Sequence, residues 1–221
     1  MAIQFKTFPK GSLIGSGAYK FRHYGQEKPW LCFTAQQAGS RISMAVNGTL
    51  SKGQAFETSF DGITWEVYTP GTTIALANIG DKVYFRGDNE TVSESTKNYY
   101  KYVMSGKISA SGNIMSLLDK TCSTVNVPAY CYYNMFNGCT ALTTPPELPA
   151  TTLANYCYAS MFQSCTGIKL STTQTSYYKK PYRIPSSGTG QAGTGSLAGM
   201  FYDTGGTFNG TPAINTTYYL A

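Results

Sequence analysis

Charge is scarce in this chain. Asp, Glu, Lys and Arg make up 13% of its 221 residues, against about 25% in an ordinary soluble protein, so the surface must be built from Tyr, Thr, Ser, Asn and Gly. Histidine is scarcer: His23 is the only one. A Ser-His-Asp or Cys-His centre would have to form around it, and no G-x-S-x-G signature supplies the nucleophile. The eleven acidic residues are scattered. Asp88 and Glu90 sit in a Gly-Asp-Asn-Glu turn without the spaced ligands of a calcium loop, although a two-carboxylate glycosidase site stays open, because such a pair is assembled in space. Nowhere do about 18 apolar residues run together, and the N-terminus lacks the apolar core of a signal peptide, so neither membrane insertion nor export by the usual route is expected.

Other absences narrow the partners. The net charge of +6 is spread along the chain, with only Lys179-Lys180 and Lys20 to His23 clustered. Nucleic acid binding asks for a denser basic stripe and is not expected. The six cysteines (Cys32, Cys122, Cys131, Cys139, Cys157 and Cys165) show none of the close pairing of structural zinc sites. No metal and no cofactor is expected, and no catalytic residue is assigned.

What the chain has is a sentence written twice. Tyr130-Cys-Tyr-Tyr-Asn-Met-Phe-Asn-Gly-Cys-Thr-Ala-Leu142 returns 26 residues later as Tyr156-Cys-Tyr-Ala-Ser-Met-Phe-Gln-Ser-Cys-Thr-Gly-Ile168. A fixed period of roughly 20–29 residues is the signature of a leucine-rich-repeat solenoid, whose units bury their apolar edges against one another. Cys131 and Met135, like Cys157 and Met161, are four apart and are expected on one face of a short helix. Phe136, Cys139, Leu142, Phe162, Cys165 and Ile168 complete the expected repeat core. A degraded third unit is expected at Leu197 to Thr204, because Met200-Phe201 follows Met161-Phe162 by 39 residues. The extra residues fall in 171–195, expected to be an inserted, exposed loop. Two clean units are few for a free-standing array, so a β domain or a partner should cover one end.

Ahead of the repeats the periodicity is that of strands. Asn47-Gly48 and Asp61-Gly62 suit two-residue hairpin turns, with Ile63, Trp65 and Val67 on one side. Further strands are expected at 73–77, 81–86 and 99–108, which together suggest a small β-sandwich. The predicted class is therefore mainly β with short helices: an attachment arm at 1–28, a β-sandwich at 29–110 and a repeat domain at 111–221. In the arm, Phe5, Phe8, Tyr19 and Phe21 are the candidate anchors. Tyr133, Tyr158, Tyr177, Tyr178, Tyr182 and Tyr202 are the candidate ligand-binding rings, since flat rings beside Asn and Thr can stack on sugars or anchor an interface.

The Tyr-Cys-Tyr…Met-Phe…Cys-Thr…Leu repeats and the linking Pro146-Glu-Leu-Pro-Ala-Thr-Thr-Leu153 resemble the BspA-type leucine-rich repeats of bacterial surface proteins and gut phage proteins. Gly80 to Asn89 and Ser105 to Asp119 resemble a β module that precedes such repeats in tailed phages of gut Bacteroidales, including crAss-like phages. The resemblance implies a non-enzymatic virion structural protein, as head fibre, capsid decoration or tail-associated subunit, exposed on the particle surface and made in the host cytoplasm. Its implied partners are capsid or tail proteins through the arm, host or mucin glycans, and further copies of itself, as in a trimer. A bacterial cell-surface adhesion protein is the alternative, and a polysaccharide hydrolase a more remote one. Four Asn-x-Thr matches, at Asn47, Asn89, Asn209 and Asn215, mean little in so Thr- and Asn-rich a chain.

Overall fold

The computed structural model describes residues 28–51 and 53–221. The expected arm, with Phe5, Phe8, Tyr19 and Phe21, thus lies outside the described residues apart from Lys28.

The chain is mainly β. Strands β1 (Leu31–Ala35), β3 (Phe56–Ser59), β4 (Glu66–Tyr68), β6 (Lys82–Gly87), β8 (Ile108–Ser111) and β10 (Leu142–Thr144) form one sheet in the order β10-β8-β1-β6-β3-β4. A second sheet, β5-β2-β7, contains β2 (Ser40–Asn47), β5 (Ile74–Leu76) and β7 (Tyr99–Ser105). Alternation along β6 turns Val83 and Phe85 inward. Phe33 of β1 meets Phe85 at 5.6 Å and Tyr102 of β7 at 4.8 Å, so the two sheets bury a common aromatic core. Tyr68 ties the edge strand across it: its hydroxyl accepts the Met44 N–H and donates to the Thr72 carbonyl.

Turn chemistry departs from expectation at two places. β3 and β4 pair with Phe56 opposite Tyr68, but residues 60–65 form the link, and the Asp61 carboxylate organises it by accepting the Ile63 and Thr64 N–H groups. Ile63 and Val67 are exposed, and half-buried Trp65 stacks on the Arg86 guanidinium at 3.9 Å. Asn47-Gly48 is no hairpin turn, because β2 pairs with β5 and β7 rather than with β3, and the Asn47 amide donates to the Lys97 carbonyl.

The repeats begin after a 3₁₀ turn, Ile114–Leu117, capped by the Asn113 side chain. Strands β9 (Asn126–Val127), β11 (Thr152–Leu153) and β14 (Gln191–Ala192) pair in parallel, Thr152 lying opposite Asn126 on one side and Gln191 on the other. Those pairings reproduce the 26- and 39-residue spacings, so the third unit stands in register with the first two.

The short helix expected in each repeat does not form. Left-handed backbone recurs every fourth residue instead, at Tyr130, Asn134 and Gly138, at Tyr156, Ser160 and Ser164, and at Gly195, Gly199 and Asp203. This breaks the helix and makes a ribbon of overlapping turns. Within the ribbon Met135 N–H bonds to Tyr132 O, and between ribbons Tyr132, Asn134, Phe136 and Gly138 donate to Cys157, Ala159, Met161 and Gln163. The second ribbon donates to the third in the same way. A four-residue period still turns Cys131, Met135, Phe136, Cys139, Leu142, Cys157, Met161, Phe162, Cys165 and Ile168 inward, and all ten are buried.

Both ends of this stack are covered. At the first, Tyr102 of β7 donates its N–H to Met135 O, Ile108 pairs with Leu142 across β8 and β10, and the Cys139 thiol donates to Tyr102 O. Tyr102, Phe136, Phe162 and Phe201 stack in a ladder at 5.2, 5.3 and 5.4 Å. The boundary expected near residue 110 is therefore crossed by a sheet and by one continuous core. At the other end the outward N–H groups of Gly199, Phe201 and Asp203 are taken by the Thr211 hydroxyl, the Gly210 carbonyl and the Asn209 side chain. Asn209-Gly-Thr is thus a cap. The side chains of Asn47, Asn89 and Asn215 likewise bond to nearby backbone.

The expected loop at 171–195 is partly strand. β13 (Lys180–Arg183) pairs with the C-terminal β15 (Thr217–Leu220), which also pairs with β12 (Leu170–Ser171).

Acid should loosen two turns, the β3–β4 link at Asp61 and the segment at Asp119 that leads into the repeats. The Asp119 carboxylate accepts bonds from Ser123 and Thr121, which hold it well below the usual carboxylate range, and the Thr64, Ile63 and Ser59 bonds hold Asp61 at about 2. A carboxyl depressed in the folded state stabilises above its unfolded pKa of about 4, and that stabilisation is lost as pH falls towards the folded value. The urea midpoint is expected to fall between about pH 4 and pH 2, and Asp119→Asn should flatten that slope.

Candidate functional site

The ribbon geometry puts one row of side chains inside and another outside. Tyr130 and Tyr156 occupy left-handed positions, where a bulky residue costs about 1 kcal/mol or more, and their rings project outward and stack at 5.3 Å. Tyr133 meets Tyr130 edge-on at 6.2 Å, and Tyr99, at the start of β7, meets Tyr133 at 5.6 Å. Tyr99, Tyr133, Tyr130 and Tyr156 therefore form an aromatic row from the second sheet across two repeat units. It ends over Gly195, where any Cβ would strike the Tyr156 ring. Beside the rings run amides: Asn137 Nδ2 donates to Asn134 Oδ1 at 3.0 Å and lies 3.5 Å from Gln163 Oε1. The inner faces of Tyr130 and Tyr156 cover each other, so the surface offers ring edges, hydroxyls and amides, a combination suited to a polyhydroxylated ligand.

The six tyrosines singled out from sequence do not gather into one site. Tyr133 is in the row. Tyr177 and Tyr178 pack edge-on at 5.0 Å on another loop, where the Lys169 ammonium donates to the Tyr177 hydroxyl. Tyr202 is half exposed on the third unit, over Gly199. Tyr158 and Tyr182 are buried: Tyr158 stacks on Tyr132 in the core, and Tyr182 packs into the core behind the wall of a cleft described below, its hydroxyl donating to Pro146 O. Tyr99, Tyr130 and Tyr156 were missed, although Tyr130 and Tyr156 open the two copies of the repeat.

Buried Tyr158 carries its own test. Its hydroxyl finds no hydrogen-bond partner among the described residues, whereas that of Tyr132 donates to Ile114 O at 3.1 Å. Tyr158→Phe should be neutral or stabilising by up to about 1 kcal/mol, and Tyr132→Phe should cost about 1 kcal/mol, read from paired thermal melts.

The repeat cysteines are packing groups. These four, like Cys32 and Cys122, are free thiols. Burial pushes Cys131, Cys139 and Cys157 up to about 12 and Cys165 in the same direction, so no thiolate is available at neutral pH. Among the described residues no three His, Cys, Asp or Glu side chains gather as a metal site.

A cleft of about 850 Å³ lies on the other side of the molecule's first sheet, between the outward faces of β1, β6 and β8 and the β13–β15 pair. Lys28, Lys82, Lys180 and Arg183 line it against one carboxylate, Glu147. Comparison with protein-family models, curated proteins and solved structures returns no match for this chain.

Proposed function

We propose that this chain is a non-enzymatic virion structural protein of a bacteriophage, a head fibre, capsid decoration or tail-associated subunit, that helps the particle adhere to host or mucosal glycans. In this reading the two facing sheets are a small β-sandwich, and the stacked ribbons are a short leucine-rich-repeat solenoid of BspA type. The observation that carries adhesion is the row Tyr99, Tyr133, Tyr130 and Tyr156 beside Asn134 and Asn137. Surface rings with only two rotatable torsions order at low entropic cost and contribute about 0.5–1.5 kcal/mol per aromatic contact. Low charge suits the same role, because hydroxyl and amide groups exchange hydrogen bonds with sugars without desolvating ions. Hydrolysis of a glycosidic bond ordinarily takes two carboxylates, and the cleft has one.

Neutral mucin-type glycans arrayed against the full chain test the proposal. Retention is expected, with a loss of about ten-fold or more in Tyr133→Ala and Tyr156→Ala, while circular dichroism stays unchanged. An array silent at millimolar glycan sinks adhesion by this face. Immunogold labelling of purified particles tests the location, and label on phage-free cell envelopes would make the chain a bacterial adhesion protein instead.

A further inference from the structure

We propose that the cleft between the first sheet and the β13–β15 pair is a second binding site, for a short saccharide bearing a carboxylate or sulfate. Its charge is the first argument. Alternation on β6 that buries Val83 and Phe85 turns Lys82 outward into the cleft and Lys180 enters from β13, while Lys28, in the chain before β1, lies at its edge with its stem along Gly62 and its ammonium 5.9 Å from the Trp30 ring centroid. None of the three makes an ion pair among the described residues, where the pairs present are those of Glu57 with Arg86 and Lys120. Arg183 adds a fourth positive charge, but its guanidinium is held by the Asn215, Pro185 and Gly188 carbonyls. It therefore contributes field more than contact. Like charges gathered in a concave wall repel one another and raise the local concentration of anions.

The walls say what kind of anion. The Tyr182 hydroxyl fixes β13 to Pro146, so the cleft is held open by the fold rather than by a loose loop. Pro29, Pro145, Pro146 and Pro181 carry no N–H, so that part of the wall offers an anion no backbone donor, and lysine ammonium groups and serine hydroxyls stand beside it. Ammonium is a point charge that accepts carboxylate or sulfate without demanding the fork geometry of arginine. Ser111, Ser186, Ser187 and Thr217 supply hydroxyls to pair with sugar hydroxyls. The volume lies in the range of about 300–1,000 Å³ typical of small-ligand sites, room for a few sugar rings. A nucleic acid strand calls instead for an open basic groove with successive stacking rings.

Titration calorimetry on the full chain tests the site with galacturonic acid trimer, a chondroitin sulfate tetrasaccharide, uncharged maltotriose and a twelve-residue oligothymidylate. At least one acidic saccharide should bind, its Kd rising about ten-fold between 20 and 200 mM salt, and maltotriose should bind at least ten-fold more weakly. The exposed pair Lys82→Gln and Lys180→Gln, made together, should weaken acidic binding by about ten-fold or more, whereas Tyr156→Ala should leave it unchanged. Unaltered binding in the lysine variant, binding of maltotriose as tight as that of the acidic saccharides to the Tyr156→Ala protein, tighter binding of the oligothymidylate, or silence with every probe would each overturn the proposal. Because the tyrosine row is tested with neutral glycans and tyrosine variants, either site can fail alone.

Discussion

Phe136→Ala should lower the unfolding free energy by about 4 kcal/mol, read as a fall in the urea midpoint with the slope unchanged. The ring is fully buried and lies between Tyr102 at 5.2 Å and Phe162 at 5.3 Å, the planes nearly parallel, with Phe33 edge-on at 6.1 Å. Truncation removes contacts with three rings at once. The hole has little freedom to collapse, because the backbone around it is bonded on both sides: Phe136 N–H donates to Met161 O, and Phe136 O accepts the Cys139 N–H and the Cys165 thiol. A cavity that stays open adds its own cost to the lost transfer energy. The ladder also joins the sheets to the repeats, so the variant should still unfold in one transition. Two transitions would mean that the sheets and the repeats are separate folding units despite their shared core. Half-exposed Tyr202 gives the contrast: Tyr202→Ala should change stability by no more than about 0.5 kcal/mol.

The same ladder shows what could be read from the sequence and what could not. Met-Phe at 135–136, 161–162 and 200–201 revealed three units and their inward residues, because a buried stripe must recur wherever the unit recurs. Local conformation was not legible from those residues. Four-residue spacing fits a helix of 3.6 residues per turn almost as well as it fits the turn ribbon, and only bonds to the next unit, such as Tyr132 to Cys157, distinguish them. Left-handed Tyr130 and Tyr156 are against residue preference, so the outward row they build was invisible to it. Tyr158 and Tyr182 read from sequence as candidate surface rings, since flat rings beside Asn and Thr suit a ligand. The core is instead one body running from Leu31 to Leu220, and it takes both. Lys28, Lys82 and Lys180 are far apart in the chain and come together only when β13 folds back to β15, so no window of sequence shows the cleft.

Gly206→Ala should destabilise by about 3 kcal/mol, the upper part of the usual range for overpacking. Gly206 is not in the left-handed region, so the penalty is one of space: a Cβ would run into the backbone N and O of Leu170 and sit 2.9 Å from its carbonyl carbon. Those atoms belong to β12, fixed by its pairing with Leu220, and the adjoining chain is fastened by Gly205 N–H to Ile168 O and Phe208 N–H to Leu170 O. Neither side can retreat without breaking bonds. Gly167, 39 residues earlier, meets the second unit's predecessor in the same way, with a Cβ 2.5 Å from Leu142 O and 2.8 Å from Thr140 O. The corresponding residue of the first unit is Ala141, whose neighbour is β8 rather than another ribbon, its carbonyl accepting the Ile108 N–H. A side chain is therefore tolerated where the stack meets the sheet, and excluded where unit meets unit. Gly53, with open space around its Cβ position and no left-handed φ, is the control: Gly53→Ala should be neutral or stabilising by up to about 1 kcal/mol through the unfolded chain. Equal urea midpoints for the two variants would mean that the backbone near Leu170 yields, and that close backbone approach does not set the spacing of the units.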